Sequence, residues 1–231
     1  MTTLRARRPA PWKHVTRARS DAVLVMIGAV ILTLTALPVY EHRISDLEED
    51  VFRVINGHTV LPYLVVWPIM QVGNLVAVPI AAAIAAVLRR FRLAFAILAM
   101  GFAAYFLAKL VKGFVVRGRP ASVLDDVVIR GSAATGRGYV SGHATIATLM
   151  LVLAWPYLGK PWRWVGLGVA VFVCLARVYV GAHLPLDVVG GAALGLALGG
   201  VGRLAFGRPS DHQSASQPQA HPGPRPGVSG Y

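Results

Sequence analysis

TVLPYLVVWPIMQVGNLVAVPIAAAIAAVL, residues 59–88, runs for thirty residues without a charged side chain. About 20 apolar residues cross the hydrocarbon core of a bilayer, so this stretch is longer than one crossing. Proline interrupts helical hydrogen bonding, and Pro62 and Pro68 are expected to set an interfacial piece apart from a crossing that starts near Gln71. Outward from this stretch the pattern repeats. Residues 22–40 read as a first membrane helix, because the run is longer than a signal-peptide core and no small-residue cleavage pattern follows it. Further apolar runs predict helices over about residues 93–116, 141–158, 162–176 and 185–206. The expected fold is therefore all-α, a polytopic bundle of six transmembrane helices over residues 21–206. A basic segment, 1–20, precedes it, and a tail rich in Pro, Ser, Gln, His and Gly, 207–231, is expected to be disordered.

Composition agrees with lipid as the solvent. The chain is 55% hydrophobic and 14% charged, against nearer a quarter charged in soluble domains. The net charge of +13 raises the question of nucleic acid. The basic residues flank apolar runs instead of lining one face, so no nucleic-acid partner is expected. Cys174 is the single cysteine, which excludes a disulfide framework or a cysteine metal cluster.

Six crossings put both termini on one side. That side collects 14 of the 23 Lys and Arg residues: those of the first twenty residues, Arg89, Arg90, Arg92, Lys160, Arg163, Arg203, Arg208 and Arg225. The positive-inside rule makes it cytoplasmic and turns the loops after helices one, three and five outward. Among these loops, residues 41–58 read as an acidic, polar stretch. In the sixth helix Gly191, Gly195 and Gly199 form a small-residue stripe suited to close helix packing. Trp67, Trp155, Trp162 and Trp164 fit aromatic belts at the membrane interfaces. His42 and His58 read as interface residues, and His212 and His221 as solvated tail residues.

The outward loops hold the charges that topology leaves unexplained. Lys112 is followed after six residues by Arg119-Pro120; Ser141-Gly142-His143 opens the fourth helix; Arg177, His183 and Asp187 bracket the last turn. Ionisable groups beside membrane helices are costly and default to function. Snorkelling accounts for Lys112 or Arg177 taken alone, but not for Asp187 or the histidines. Three cations converging on a point suit a phosphate dianion, arginine as a planar fork and lysine as a point charge. Backbone N–H groups of Ser141 and Gly142 at a helix start suit the same anion. Asp187, four residues after His183, is placed to accept a proton from one imidazole nitrogen and leave the other as a nucleophile. His143 is then available to protonate a leaving oxygen.

In order and spacing these residues resemble the type 2 phosphatidic acid phosphatase family, the lipid phosphate phosphatases, whose site is shared with vanadium haloperoxidases. The family's first motif, a Lys, six residues and Arg-Pro, is complete at residues 112–120. The second, Pro-Ser-Gly-His, is matched at Ser141-Gly142-His143, with Val140 in place of proline. The third is matched at Arg177, His183 and Asp187, with Ala176 in place of serine. Losing the proline is expected to loosen the turn into helix four, and losing the serine to remove a hydrogen bond near Arg177. The motifs span about a third of the chain, and the six-helix plan extends the resemblance over residues 21–206.

The resemblance implies a membrane lipid phosphatase with its active site at the extracytoplasmic membrane face. His183 would attack phosphorus to form a phosphohistidine, and His143 would protonate the leaving alcohol and later activate water. Lys112, Arg119 and Arg177 would hold the phosphate oxygens, with Ser141 and Gly142 beside them. No metal and no cofactor are implied; the partners are the lipid bilayer and a lipid phosphate of the phosphatidate, phosphatidylglycerol phosphate or polyprenyl phosphate class. Arg117, Arg130 and Arg137 read as solvated or headgroup-facing charges, and Asp125-Asp126 as a poor metal pair. Two other readings stay open: a phosphotransferase using the same site, and a non-catalytic transporter or lipid-binding protein. Charge at helix ends on one side, not at mid-membrane, argues against the transporter.

Overall fold

The structure, a computed structural model, describes residues 15–41, 43–58 and 61–209. The basic residues before position 15, His42 and the tail from residue 210, with His212, His221 and Arg225, lie outside the described residues.

Among the described residues nine α-helices follow in chain order: α1 (Arg19–Tyr40), α2 (Asp46–Gly57), α3 (Tyr63–Met70), α4 (Ala77–Val87), α5 (Phe91–Phe114), α6 (Pro120–Val123), α7 (Gly142–Ala154), α8 (Lys160–Tyr179) and α9 (Pro185–Phe206). A two-residue antiparallel pairing of Val15–Thr16 with Arg208–Pro209 is the one departure from an all-α chain among the described residues. α1, α5, α8 and α9 are long and apolar enough to cross a membrane. α3 and α4, joined by a tight turn at Gln71–Gly73, qualify together as a broken span bent by 67°. The protein is a multi-pass α-helical membrane protein.

Two expectations need revision. The second crossing does not run straight from Gln71. α4 alone has 11 residues, about 16 Å of helix. The bend falls after Met70, where Gly73 meets α7: a Cβ on Gly73 would lie 2.6 Å from the His143 carbonyl oxygen. The fourth helix is also shorter than its apolar run. α7 has 13 residues, about 20 Å, and tightens into a 3-10 turn at Trp155–Tyr157, around Pro156.

α9 is the central element. It starts with Pro185 in its first turn, where a missing N–H costs nothing. It ends at Gly207 with φ 70°, a left-handed conformation that favours glycine. Its small-residue stripe lies against α7. A Cβ on Gly191 or Gly195 would collide with the carbonyl oxygen of Ser141 or Thr145, and one on Gly199 would lie 2.5 Å from Val152. Gly28 of α1 meets the opposite face of α9 at Ala193 and Ala197. Close backbone approach is how helices associate where lipid supplies no hydrophobic drive.

The bundle has two chemically different ends. At one, Arg17 donates to the Leu204 carbonyl, Arg90 to that of Tyr157 and Arg163 to that of Trp155. Buried Arg203 there bonds the Val152 carbonyl and pairs with buried Asp21 at 3.5 Å. The other end gathers the close of α5, the start of α7, the turn between α8 and α9, and α2.

Candidate active site

The loop of residues 115–141 folds back over the start of α9. Gly138 donates its N–H to the Arg117 carbonyl at 2.8 Å, and Ser141 donates its N–H to the Asp187 carbonyl at 2.8 Å. Lys112, in the last turn of α5, donates Nζ to the carbonyls of Arg137 (3.0 Å) and Gly138 (2.9 Å). A Cβ on Gly138 would lie 2.8 Å from Asp187 Oδ2. Tyr139 anchors the loop to α1, its hydroxyl 2.9 Å from both the Leu32 carbonyl and Thr35 Oγ1. Val140, where the family pattern has proline, is fully buried. Ala176, where that pattern has serine, packs with Val66 and Met70.

His183 sits at the centre, in the turn between α8 and α9, and is 3% exposed. Its Nδ1 faces Asp187 Oδ2 at 3.3 Å, and its Nε2 faces Arg119 Nη1 at 3.1 Å. A guanidinium only donates, so Nε2 accepts, and the proton of the neutral ring belongs on Nδ1 toward Asp187. Burial pushes the imidazole down to about 3, outweighing the opposing pull of Asp187, with Arg177 and Arg119 adding to the depression. The ring is therefore neutral at physiological pH, with its Nε2 lone pair turned toward the Arg119 guanidinium.

Asp187 is fully buried. Oδ2 also accepts the Leu184 N–H at 3.0 Å, closing the first turn of α9. Arg119 is further fixed by donation to the carbonyls of Ala182 (2.7 Å) and Thr135 (3.1 Å). Arg177 reaches Met70 Sδ at 3.3 Å, while its Nε is buried without a hydrogen-bond partner. Ser141 Oγ is also buried and unpartnered, and no other side-chain atom among the described residues shares that state. His143, in the first turn of α7, is half-buried and within electrostatic reach of His183, Arg119 and Arg177. All eight residues singled out from the sequence thus come from the ends of α5, α7, α8 and α9 and the turns between them. Gly142 contributes only the first helical N–H of α7.

The PAP2 superfamily model matches residues 90–210, a span that contains all of these groups. The chain belongs to the PAP2 superfamily. Two curated relatives share part of it. An undecaprenyl-diphosphatase of Sulfolobus acidocaldarius is 35% identical over 96 residues, 40% of this chain and 45% of the relative. A lipid A 4'-phosphatase of Porphyromonas gingivalis is 30% identical over 93 residues, 38% of this chain and 39% of the relative. The chain thus spans less than half the length of the curated relatives it matches. Among solved structures, LpxE of Aquifex aeolicus superposes with a TM-score of 0.61 at 25% identity, covering 68% of this chain and 95% of that one. A transmembrane PAP2 type phosphatidylglycerolphosphate phosphatase of Bacillus subtilis gives 0.58 at 22% identity, covering 80% and 95%, and shows the shared fold.

Three sequence readings of this PAP2 chain are corrected. Arg117 is not a solvated charge: it is 5% exposed and pairs with Glu48 and Asp187. Burial opposes its charge, but the hydrogen bonds to Glu48 and the charge of Asp187 win, and its pKa is raised above the ordinary arginine value. Arg130 is half-buried as well, donating to the carbonyls of Asn56, Tyr179 and His58 and stacking over the Tyr179 ring. Residues 46–57 are a helix, α2, not a polar loop; Glu48, Phe52 and Asn56 form its buried face. The signal was present in Ser45-Asp46-Leu47-Glu48, the spacing of a capping box, and Ser45 Oγ accepts the Glu48 N–H at 3.2 Å. Arg137 is exposed, as read, and donates to the Lys112 and Gly113 carbonyls. Asp125 and Asp126 are exposed, and no group of three or more potential metal ligands occurs among the described residues.

Proposed function

We propose that this chain is an integral membrane lipid phosphatase. It hydrolyses a phosphomonoester or pyrophosphate of a membrane lipid of the phosphatidate, phosphatidylglycerol phosphate or polyprenyl phosphate class. The observation that carries the reading is a neutral, Asp187-oriented His183 whose Nε2 faces the Arg119 guanidinium, with Arg177 within electrostatic reach of the ring and with Arg177 Nε and Ser141 Oγ both buried without a partner. Two buried polar atoms without protein partners are an expensive arrangement, and phosphate oxygens would satisfy both. His183 Nε2 attacks phosphorus as the bond to the leaving oxygen breaks, and His143 gives that oxygen a proton. Water, losing a proton to His143, then attacks the phosphohistidine and releases inorganic phosphate and free His183. Lys112, Arg119 and Arg177 stabilise charge on the equatorial oxygens throughout. The names of the relatives support a lipid substrate, and release of free phosphate separates hydrolysis from transfer to an alcohol.

Because the chain supplies these three cations, turnover needs no added divalent metal. Activity is expected to survive EDTA, and vanadate, which adopts five-coordinate geometry, is expected to inhibit. Activity lost in EDTA and restored by magnesium would sink this site.

The reading places six crossings, with α7 and its 3-10 extension counted as one, and puts the site outside with both termini cytoplasmic. The gathering of Arg17, Arg90, Arg163 and Arg203 at the opposite end supports it. With Cys174 replaced, a membrane-impermeant thiol reagent on intact cells is expected to label Ser132→Cys and spare Ser210→Cys. The reverse pattern inverts the topology.

A further inference from the structure

Glu48 and Arg117 have no part in the chemistry above, yet both are buried charges within one hydrogen bond of it. Their side chains are 3% and 4% exposed. Arg117 grips Glu48 with both prongs, Nη1 to Oε1 at 2.9 Å and Nη2 to Oε2 at 2.5 Å. The same Nη1 donates to Asp187 Oδ1 at 3.2 Å. Glu48 Oε1 also accepts the Leu186 N–H at 2.9 Å, one residue before Asp187. The two oxygens of Asp187 are thereby divided: Oδ2 for His183 and Leu184, Oδ1 for Arg117.

Stability alone is a weak reason for this arrangement. Taking both charges out of water offsets much of their attraction, and an apolar pair of similar volume is often as good or better. Electrostatics supply a better one. Arg117 alone would neutralise Asp187 and weaken its hold on the His183 proton. Shared between two carboxylates, Arg117 fixes the orientation of Asp187 and leaves the trio with one net negative charge. That charge faces the imidazole as it becomes a cationic phosphohistidine.

We propose that Glu48 and Arg117 are positioning residues that lock Asp187 Oδ2 onto His183 Nδ1 while preserving its negative charge. The proposal rests on His183 being the nucleophile. It also assigns α2 a purpose: to carry Glu48 from the segment after α1 to the first turn of α9.

The test uses the full chain in detergent micelles, with dioleoyl phosphatidate and p-nitrophenyl phosphate as probes. The double variant Glu48→Leu/Arg117→Met removes both charges together, so neither is left buried without the other, while Asp187 keeps the His183 ring and the Leu184 N–H on Oδ2. The expected result is an unchanged Tm, an unchanged KM and a kcat lowered roughly 100-fold, the scale of a misoriented catalytic group. A kcat within twofold of wild type would overturn the proposal, as would a raised KM with kcat unchanged. Should the double variant not fold, Arg117→Lys decides. It keeps the charge but not the fork, and is expected to lose at least about tenfold in kcat at constant KM and Tm; wild-type kcat overturns the proposal. Wild-type protein that neither turns over a phosphate probe nor binds vanadate removes the phosphatase reading, and this inference with it.

Discussion

His183→Ala is expected to abolish turnover of every phosphate substrate, by roughly 10⁴-fold or more, the scale at which loss of a covalent nucleophile shows itself. The variant should still fold. Asp187 keeps the Arg117 guanidinium on Oδ1 and the Leu184 N–H on Oδ2, so no carboxylate is stranded. Lys112, Arg119 and Arg177 also remain, so vanadate or phosphate should still bind by titration calorimetry, more weakly for vanadate, which loses its bond to Nε2. Acid-labile, base-stable phosphoprotein trapped by rapid quench should appear in wild type and vanish in the variant. Because Nε2 is unprotonated down to about 3, the nucleophile needs no base to activate it. A folded His183→Ala protein retaining above about 1% of kcat, far more than loss of a nucleophile permits, would mean that phosphorus is attacked by another group, with water as the first candidate.

His143→Ala is expected to fail selectively. General acid catalysis contributes about 10²–10⁴-fold, and it matters most when the leaving oxygen is a poor leaving group. A lipid alcohol needs the proton; p-nitrophenolate and a lipid phosphate leaving from a pyrophosphate depart readily. The first step should therefore slow by roughly 10²–10⁴-fold on a lipid monophosphate and by visibly less on p-nitrophenyl phosphate. His143 also activates water in the second step, which would slow both substrates at saturation. Single-turnover measurement of the first step separates the two roles. Equal losses on both substrates there would remove His143 as the acid and leave it as a phosphate contact beside Ser141.

The apolar framework and the residues at its ends are legible in the order of amino acids alone. α9 begins and ends where its apolar run does, at Pro185 and Phe206, and α5 within two residues of the expected 93–116. Proline, glycine and charge punctuate a membrane helix strongly, because lipid tolerates neither unsatisfied backbone nor stray charge. The candidate set of Lys112, Arg119, His143, Arg177, His183 and Asp187 was legible because snorkelling, which explains Lys112 or Arg177 alone, offers no account of Asp187 and the histidines beside them. Charges that looked at home in the sequence found their places through long-range packing. Glu48 stands in an acidic stretch and Arg117 in a polar loop, and solvation is the cheapest local reading of both. They are buried because each finds the other 69 residues away in the chain, with Asp187 as a third partner, and a pairing of that range has no local signature. The close approach of the turn between α3 and α4 to α7 is of the same kind: only the folded chain shows that a Cβ on Gly73 would meet the His143 carbonyl oxygen.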